Sequence, residues 1–325
     1  MKLIKLLVTA AIASTIASNA YADKLQLKFG HVGAPGSLFA ASAEEFARVA
    51  NAKLGDKAEV VVFGSSQLGK DSELLQKLKL GQVNFSLPSS VMSSVSDEFG
   101  VFEMPYIIKD RAHMKRVEGA IFDSVLQPAV KAKGYRILAL WENGFRHITN
   151  NTQPINVPAD LKGVKLRTPK GSWRLKMFKL YGANPTPMAF SEVFTALQTG
   201  VIDGQENPYA QIWSAKFQEV QKYLSITGHV YTPGYVLTSE KHFAALPQDV
   251  QDALTEAAQE TQAYVYATAA AMETDLLTKL KAGGIAVNEA DKAAFVAASK
   301  PVYDEFSSSV DGGAALVKTV LDLAQ

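Results

Sequence analysis

The sequence predicts an α/β protein large enough for two domains, and three observations carry that reading. In the first hundred residues, alternating apolar segments of strand type are interleaved with segments of helical period. The same interleaving returns in the second half of the chain. Residues 247–281 then form one long periodic segment with no glycine and no interior proline. At ~1.5 Å per residue that segment would extend roughly 50 Å. A helix so long exceeds one compact domain and is expected to run across two; a kink is equally compatible.

The elements follow in order. Residues 25–29 alternate and read as a strand, followed by a loop with three glycines and Pro35. In residues 37–53, Phe39, Ala43, Phe46 and Val49 fall on one stripe of a helix. Residues 58–63 read as a second strand and 64–69 as a turn; Asp71 is placed to cap a helix reaching about Leu80. Residues 83–87 read as a third strand, so βαβ units and parallel sheet are expected. Residues 135–141 and 144–149 read as two extended segments, and 164–167 as a strand before a helix at 172–181. Pro185 and Pro187 favour an extended turn. Residues 191–200 read as a helix capped by Ser191 and stopped by Gly200, with a short strand or loop at 202–206. Pro247 suits the first turn of the long helix, and Gly283 and Gly284 end it.

The N-terminus reads as a secretory signal. Residues 1–5 carry two lysines, 6–16 are almost wholly apolar, and Ala20 and Ala22 form a small-x-small cleavage site. Cleavage after Ala22 would leave 303 of the 325 residues and place the protein in the periplasm. The apolar run is shorter than the roughly 20 residues that span a bilayer. Lys and Arg number 33, two of them in this leader, against 32 Asp and Glu, none there, so the mature balance is −1. That balance offers nothing to a nucleic acid.

Several chemistries are excluded. The chain has no cysteine, which removes thiol nucleophiles, Cys-ligated zinc and iron–sulfur clusters. Its five histidines form no His-x-x-x-His pair. There is no Gly-x-Ser-x-Gly elbow and no phosphate loop; the glycines at 30, 33 and 36 do not have dinucleotide-fingerprint spacing. No cofactor is expected. What stands out instead is Arg146 after Asn143-Gly144, Arg167 before Thr168-Pro169, and Asn207 before Pro208. Two guanidinium forks and an amide suit holding an anion. Glu206 shows no partner, Arg174 reads as a solvated helix face, Ser89 and Ser90 can offer hydroxyls, and Phe190 can wall a pocket or fill the core.

These segments together resemble the extracytoplasmic solute-binding subunits of tripartite ATP-independent periplasmic (TRAP) transporters, of the C4-dicarboxylate-binding type. The likeness spans essentially the whole mature chain. It includes Leu27-Lys-Phe-Gly-His-Val32, Ser66-Gln-Leu-Gly-Lys-Asp71, Gly144-Phe-Arg146, Leu161-Lys-Gly-Val-Lys-Leu-Arg-Thr-Pro169, Pro185-Thr-Pro-Met-Ala-Phe190 and the run from Glu192 to Pro208. The resemblance implies a class II-like periplasmic binding protein of two domains joined by hinge strands, with a long helix spanning both. The implied segments are 23–143 with 233–272, and 144–232 with 273–325.

It further implies that Arg167 makes a bidentate bond to a ligand carboxylate, supported by Arg146 and Asn207, with Phe190 packing on the ligand. Asp71, Glu73, Pro88, Ser89 and His31 would contact the remainder. Ser89 and Val32 stand where sialic-acid binders carry a glutamate and an asparagine, which argues against sialic acid. The implied partners are a small organic acid and the transporter's membrane subunits, with the protein a monomer. Two other functions are weighed: a sensing partner of a membrane histidine kinase, and an exported enzyme acting on a carboxylated substrate.

Overall fold

The computed structural model describes residues 24–325; the expected leader at 1–22 lies outside the described residues. Nine strands form one sheet: β1 (Leu25–Gly30), β2 (Ala58–Phe63), β3 (Phe85–Ser86), β4 (Tyr135–Asn150), β5 (Lys165–Thr168), β6 (Asn184–Pro187), β7 (Gly204–Asn207), β8 (Tyr223–Ser239) and β9 (Ala286–Glu289). Their order is β2-β1-β3-β8-β4-β7-β5-β6, with β9 beside β8. The sheet is mixed, not parallel throughout. β1 pairs in parallel with β2 and β3, and β5 does so with β6 and β7, but β8 is antiparallel to β3 and β4.

β4 and β8 bind the two halves together. Residues 135–142 of β4 lie against 233–239 of β8 in the first half, and residues 144–150 lie against 223–232 in the second. The two extended pieces expected at 135–149 are therefore one strand. The register slips between Glu142 and Gly144, where Gly144 has φ +117°, a conformation that a side chain would strain. β8 was not anticipated from the sequence, because Gly228, Pro233 and Gly234 mask its alternation.

Twelve helices cover the sheet: α1 (Leu38–Leu54), α2 (Asp71–Lys79), α3 (Arg111–Ile121), α4 (Gln127–Ala132), α5 (Ser172–Leu180), α6 (Val193–Gln198), α7 (Tyr209–Ser214), α8 (Glu240–Ala244), α9 (Gln248–Ala282), α10 (Lys292–Ala298), α11 (Lys300–Ser309) and α12 (Gly313–Asp322). Ser37 caps α1 by accepting from the Ala40 N–H. Asp71 does not cap α2; it is the first helical residue, and Glu73 accepts from the Lys70 N–H instead. That shift leaves the Asp71 carboxyl free to point elsewhere. Ser191 does not cap α6 either, since a 3₁₀ turn over Phe190–Glu192 leads into it. Pro185 and Pro187 sit in β6, not in a turn. β6 is an edge strand, where a missing N–H is tolerated.

α9 runs uninterrupted for 35 residues and packs on α1 in the first half and on α7 in the second. The chain's end departs from the expected segments. α10 seats Phe295 in the second half, beside Phe178 and Tyr181. α11 and α12 return to the first half: Tyr303 donates to the Pro105 carbonyl, and His113 Nε2 lies 2.8 Å from the Val320 carbonyl oxygen. Among the described residues no helix is long and apolar enough to cross a membrane.

The first half is built around four rings. Phe46 on α1 meets Phe29, Phe85 and Trp141 at centroid distances of 5.5, 5.6 and 6.0 Å, all fully buried. Phe46→Ala should therefore lower unfolding free energy by about 3–5 kcal/mol. Urea unfolding checks this, and a loss below about 1 kcal/mol would show that the rings repack around the cavity.

Candidate functional site

Between the halves lies a cavity of ≈ 620 Å³, counting its mouth. The first half contributes Val32, Phe39, Asp71, Ser89, Ser90 and Val91 to its wall, and the second contributes Arg146, Arg167, Met188, Phe190, Asn207 and Gln211. The mixture of apolar wall and a few convergent polar groups is the ordinary make-up of a small-molecule site. The sheet explains the convergence. Arg167 is the residue before the last of β5, Asn207 ends β7, and Arg146 lies on β4 next to His147, which pairs with Asn207.

The two cavity arginines are held differently. Arg167 donates through Nε and Nη2 to the Met188 carbonyl at 3.0 and 2.7 Å, so a neutral group fixes its plane. Burial pulls its pKa down to about 10, with Arg146 and Arg174 adding to the shift against Glu206 and Asp71. It is still charged at neutral pH. Arg146 is ion-paired: Nε meets Glu206 Oε2 at 2.5 Å, and Nη2 meets Oε1 at 2.9 Å and the Glu206 carbonyl at 2.6 Å.

Glu206 is the centre of a larger network. Its Oε2 also accepts from Arg174 Nη1 at 2.6 Å and from His229 Nε2 at 3.1 Å. The carboxylate can only accept, so Nε2 is the protonated nitrogen of His229, and Nδ1 accepts from the Thr227 hydroxyl at 2.8 Å. Arg174 also reaches Glu103 of the first half at 2.7 Å. Glu206, Arg146, Arg174, His229 and Glu103 are all buried. Burial works to raise the Glu206 pKa, but Arg146, Arg174 and the His229 hydrogen bond overcome it and hold the carboxyl well below the usual range. Arg174 is thus not a solvated face, and Glu206 has three partners. The signal for this was present: a glutamate in a strand as buried as Gly204-Gln-Glu-Asn207 demands cations.

Of the nine expected site residues, Arg146, Arg167, Asn207, Phe190, Ser89 and Asp71 line the cavity; Glu73, Pro88 and His31 are not part of its wall. Glu73 is committed to the α2 cap. The Pro88 carbonyl accepts from the Tyr235 N–H. The His31 ring is buried against Gly33 and Gly64. Asn207 Nδ2 donates to Gln205 Oε1 at 2.5 Å, which orients its amide. Ser89 Oγ donates to the Pro233 carbonyl at 2.6 Å. Trp141, Trp173 and Trp213 lie outside the wall. Lys170, Gln211 and Met188 line it and were not foreseen. No group of His, Asp and Glu suited to a metal ion occurs among the described residues.

The model of the family "Bacterial extracellular solute-binding protein, family 7" matches residues 29–309. The chain belongs to that family. Among similar members, the 2,3-diketo-L-gulonate-binding periplasmic protein YiaO of Escherichia coli is 34% identical over 298 residues, covering 90% of each chain. The sugar acid binding protein DctPAm from Advenella mimigardefordensis, solved with galactonate, superimposes with a TM-score of 0.88 at 35% identity, covering 93% of this chain and 98% of its own. A TRAP periplasmic solute binding protein from Sulfurospirillum deleyianum, with bound succinate, gives 0.87 at 33% identity, covering 92% and 99%. The neighbours are two-domain TRAP binding proteins, and this family 7 chain shares their fold.

Three buried histidines give the family 7 chain an acid sensitivity. Burial lowers His229 to about 4, His147 to about 3 and His31 to about 4. Below the unfolded value of about 6.5, the unfolded chain binds protons that the fold refuses. Stability therefore falls as pH drops from about 6.5 toward 4, by up to about 1.4 kcal/mol per pH unit for each ring. Glu206 adds a lower window, stabilising above about pH 4.3 and losing that contribution below it. Asp71 and Glu103, both pushed up by burial, act in the opposite sense. Urea unfolding at pH 7 and pH 5 should show a lower midpoint at pH 5, and His147→Gln should flatten the difference. Equal midpoints in the parent protein would contradict the histidine account.

Proposed function

We propose that this family 7 protein captures a small hydroxylated organic acid in the cleft, closes on it, and delivers it to the membrane subunits of a TRAP transporter. The observation that supports this most strongly is Arg167, a buried guanidinium in the cavity wall that is bonded only to a neutral carbonyl among the described residues. A carboxylate is the group its remaining donors suit, with Asn207 and Arg146 beside it. Similar proteins are solved with galactonate and with succinate, which fits an anchor common to acids of differing tails. The protein would act without catalysis as a monomer, exported by the leader at residues 1–22.

Closure would pivot where the sheet is weakest. The slip at Glu142 and Gly144 on β4 faces Thr232 and Pro233 on β8. We assign segments 23–143 with 233–272 to one domain and 144–232 with 273–299 to the other. α11 and α12 ride on the first domain. Ligand favours the closed state by contacting both walls at once.

A thermal-shift screen of residues 23–325 against organic acids at about 1 mM tests the reading. A ligand of micromolar affinity adds roughly 4 kcal/mol, a rise of several degrees. Arg167→Ala should weaken every acid that binds by about 100-fold, corresponding to ~2.7 kcal/mol. An Arg167→Ala protein that keeps parental affinity would remove the anchor assignment, and turnover of a bound acid would favour an enzyme instead.

A further inference from the structure

The cavity is polar at two ends and the ends belong to different halves. Arg167 and Arg146 stand on the second-half wall, and Asp71 stands on the first-half wall. Asp71 is the sole acidic residue among those lining the cavity; the other charged ones are Lys70, Lys170, Arg146 and Arg167. Lys70 is engaged with Glu192 at the mouth, and Lys170 is exposed. Asp71 takes part in no ion pair among the described residues, because Glu73 has taken over the cap that would otherwise have occupied it. It opens α2, whose N-terminal end favours a negative charge.

We infer that Asp71 is the specificity-determining residue of the cleft: it accepts hydroxyl hydrogen bonds from the tail of a hydroxy monocarboxylate and repels the second carboxylate of a dicarboxylate. This rests on the carboxylate anchor proposed above. With one end of the ligand held at Arg167, the far end meets the first-half wall. A hydroxyl there donates to Asp71, and a carboxylate instead puts two anions together at low dielectric. An ammonium group is disfavoured at the same place, since Arg167 acts on Asp71 across the cavity and Lys70 and Lys170 flank it. The Ser89 hydroxyl donates to the Pro233 carbonyl and already accepts from Asn143 Nδ2, and it carries no charge, so the Asp71 carboxylate is the stronger acceptor on that wall. Burial raises Asp71 to about 6, with Arg167 and its own backbone N–H opposing the rise. The discrimination is therefore full at pH 8 and weaker at pH 6.

The test is calorimetric titration of residues 23–325 with D-erythronate and with succinate, acids of equal carbon number, at pH 8. Parent protein should bind erythronate at least about ten-fold more tightly, equivalent to ~1.4 kcal/mol. Asp71→Asn should narrow that ratio about ten-fold or more, with succinate binding strengthened. In parent protein alone, the ratio should also narrow by about two-fold or more between pH 8 and pH 6. That arm needs no variant and stands if Asp71→Asn does not fold. An unchanged ratio in the variant, or a flat ratio with pH in the parent, would overturn the role of Asp71 and leave the anchor intact, provided Arg167→Ala still weakens binding of both acids by about 100-fold. Parent protein that binds neither acid overturns both readings.

Discussion

The buried carboxylate of Glu206 is the constraint on which the site depends. A lone carboxylate inside a protein is costly, and it is tolerated only when paired and fully hydrogen-bonded. Here Arg146, Arg174 and His229 supply the donors. Each partner is thereby fixed in place. Arg146 is held flat on β4 facing the cavity, and Arg174 is turned inward from α5 until it also reaches Glu103. One acidic side chain on β7 so orders an arginine of the cavity wall and, through Arg174 and Glu103, ties the second half to the first. Removing it would strand the buried Arg146 guanidinium and leave Arg174 with Glu103 alone, which is why such pairs are hard to break singly even when they add little net stability.

The covalent continuity of β4, β8 and α9 sets how the halves can move. Three long elements cross from one half to the other, so shear between halves is resisted along most of the sheet. The β4–β8 ladder slips in register at three places, and the slip beside Gly144, opposite Thr232-Pro233, is the one at the boundary between the halves. Gly144 tolerates a positive φ, and Pro233 has no N–H to lose. A small change of angle is absorbed there more readily than at any fully paired position. α11 and α12, packed back on the first half, add a return contact near α5 through Trp173 and Phe306, whose ring centroids lie 5.0 Å apart.

Much of this was legible in the sequence, and the failures have physical causes. β1, α1, β2 and α2 follow from alternation and helical period, and α9 from the absence of any breaker. β8 was hidden because glycine and proline interrupt the pattern that its buried pairing with β4 sustains. Asp71 was misread as a cap because position alone does not say whether Lys70 or Asp71 leaves the helix first. Arg146, Arg167 and Asn207 were expected at the site because two guanidinium forks and an amide beside Gly, Thr or Pro suit holding an anion, and all three line the cavity. Arg174 was missed because its burial depends on Glu103, seventy residues earlier in the chain and brought near only by the sheet order. Long-range charge compensation leaves little trace in local spacing.

The distribution of charge explains why the proposed anchor rests on Arg167 and not on Arg146. Arg146 and Arg174 share Glu206, and Arg174 also has Glu103, so two guanidiniums are matched by two carboxylates before any ligand arrives. Arg167 is bonded only to the Met188 carbonyl among the described residues, with Glu206 and Asp71 acting on it at longer range. Burial is what lowers its pKa, and an incoming carboxylate would supply a bonded counterion. In the proposed cycle the same deficit would make ligand binding favour closure. In an open cleft, water would solvate Arg167 and the burial cost would be small. Closing without a ligand would bury a cation with no bonded partner, and closing around an acid buries a matched pair. On this proposal, specificity for acids and coupling to closure both arise from one unmatched guanidinium.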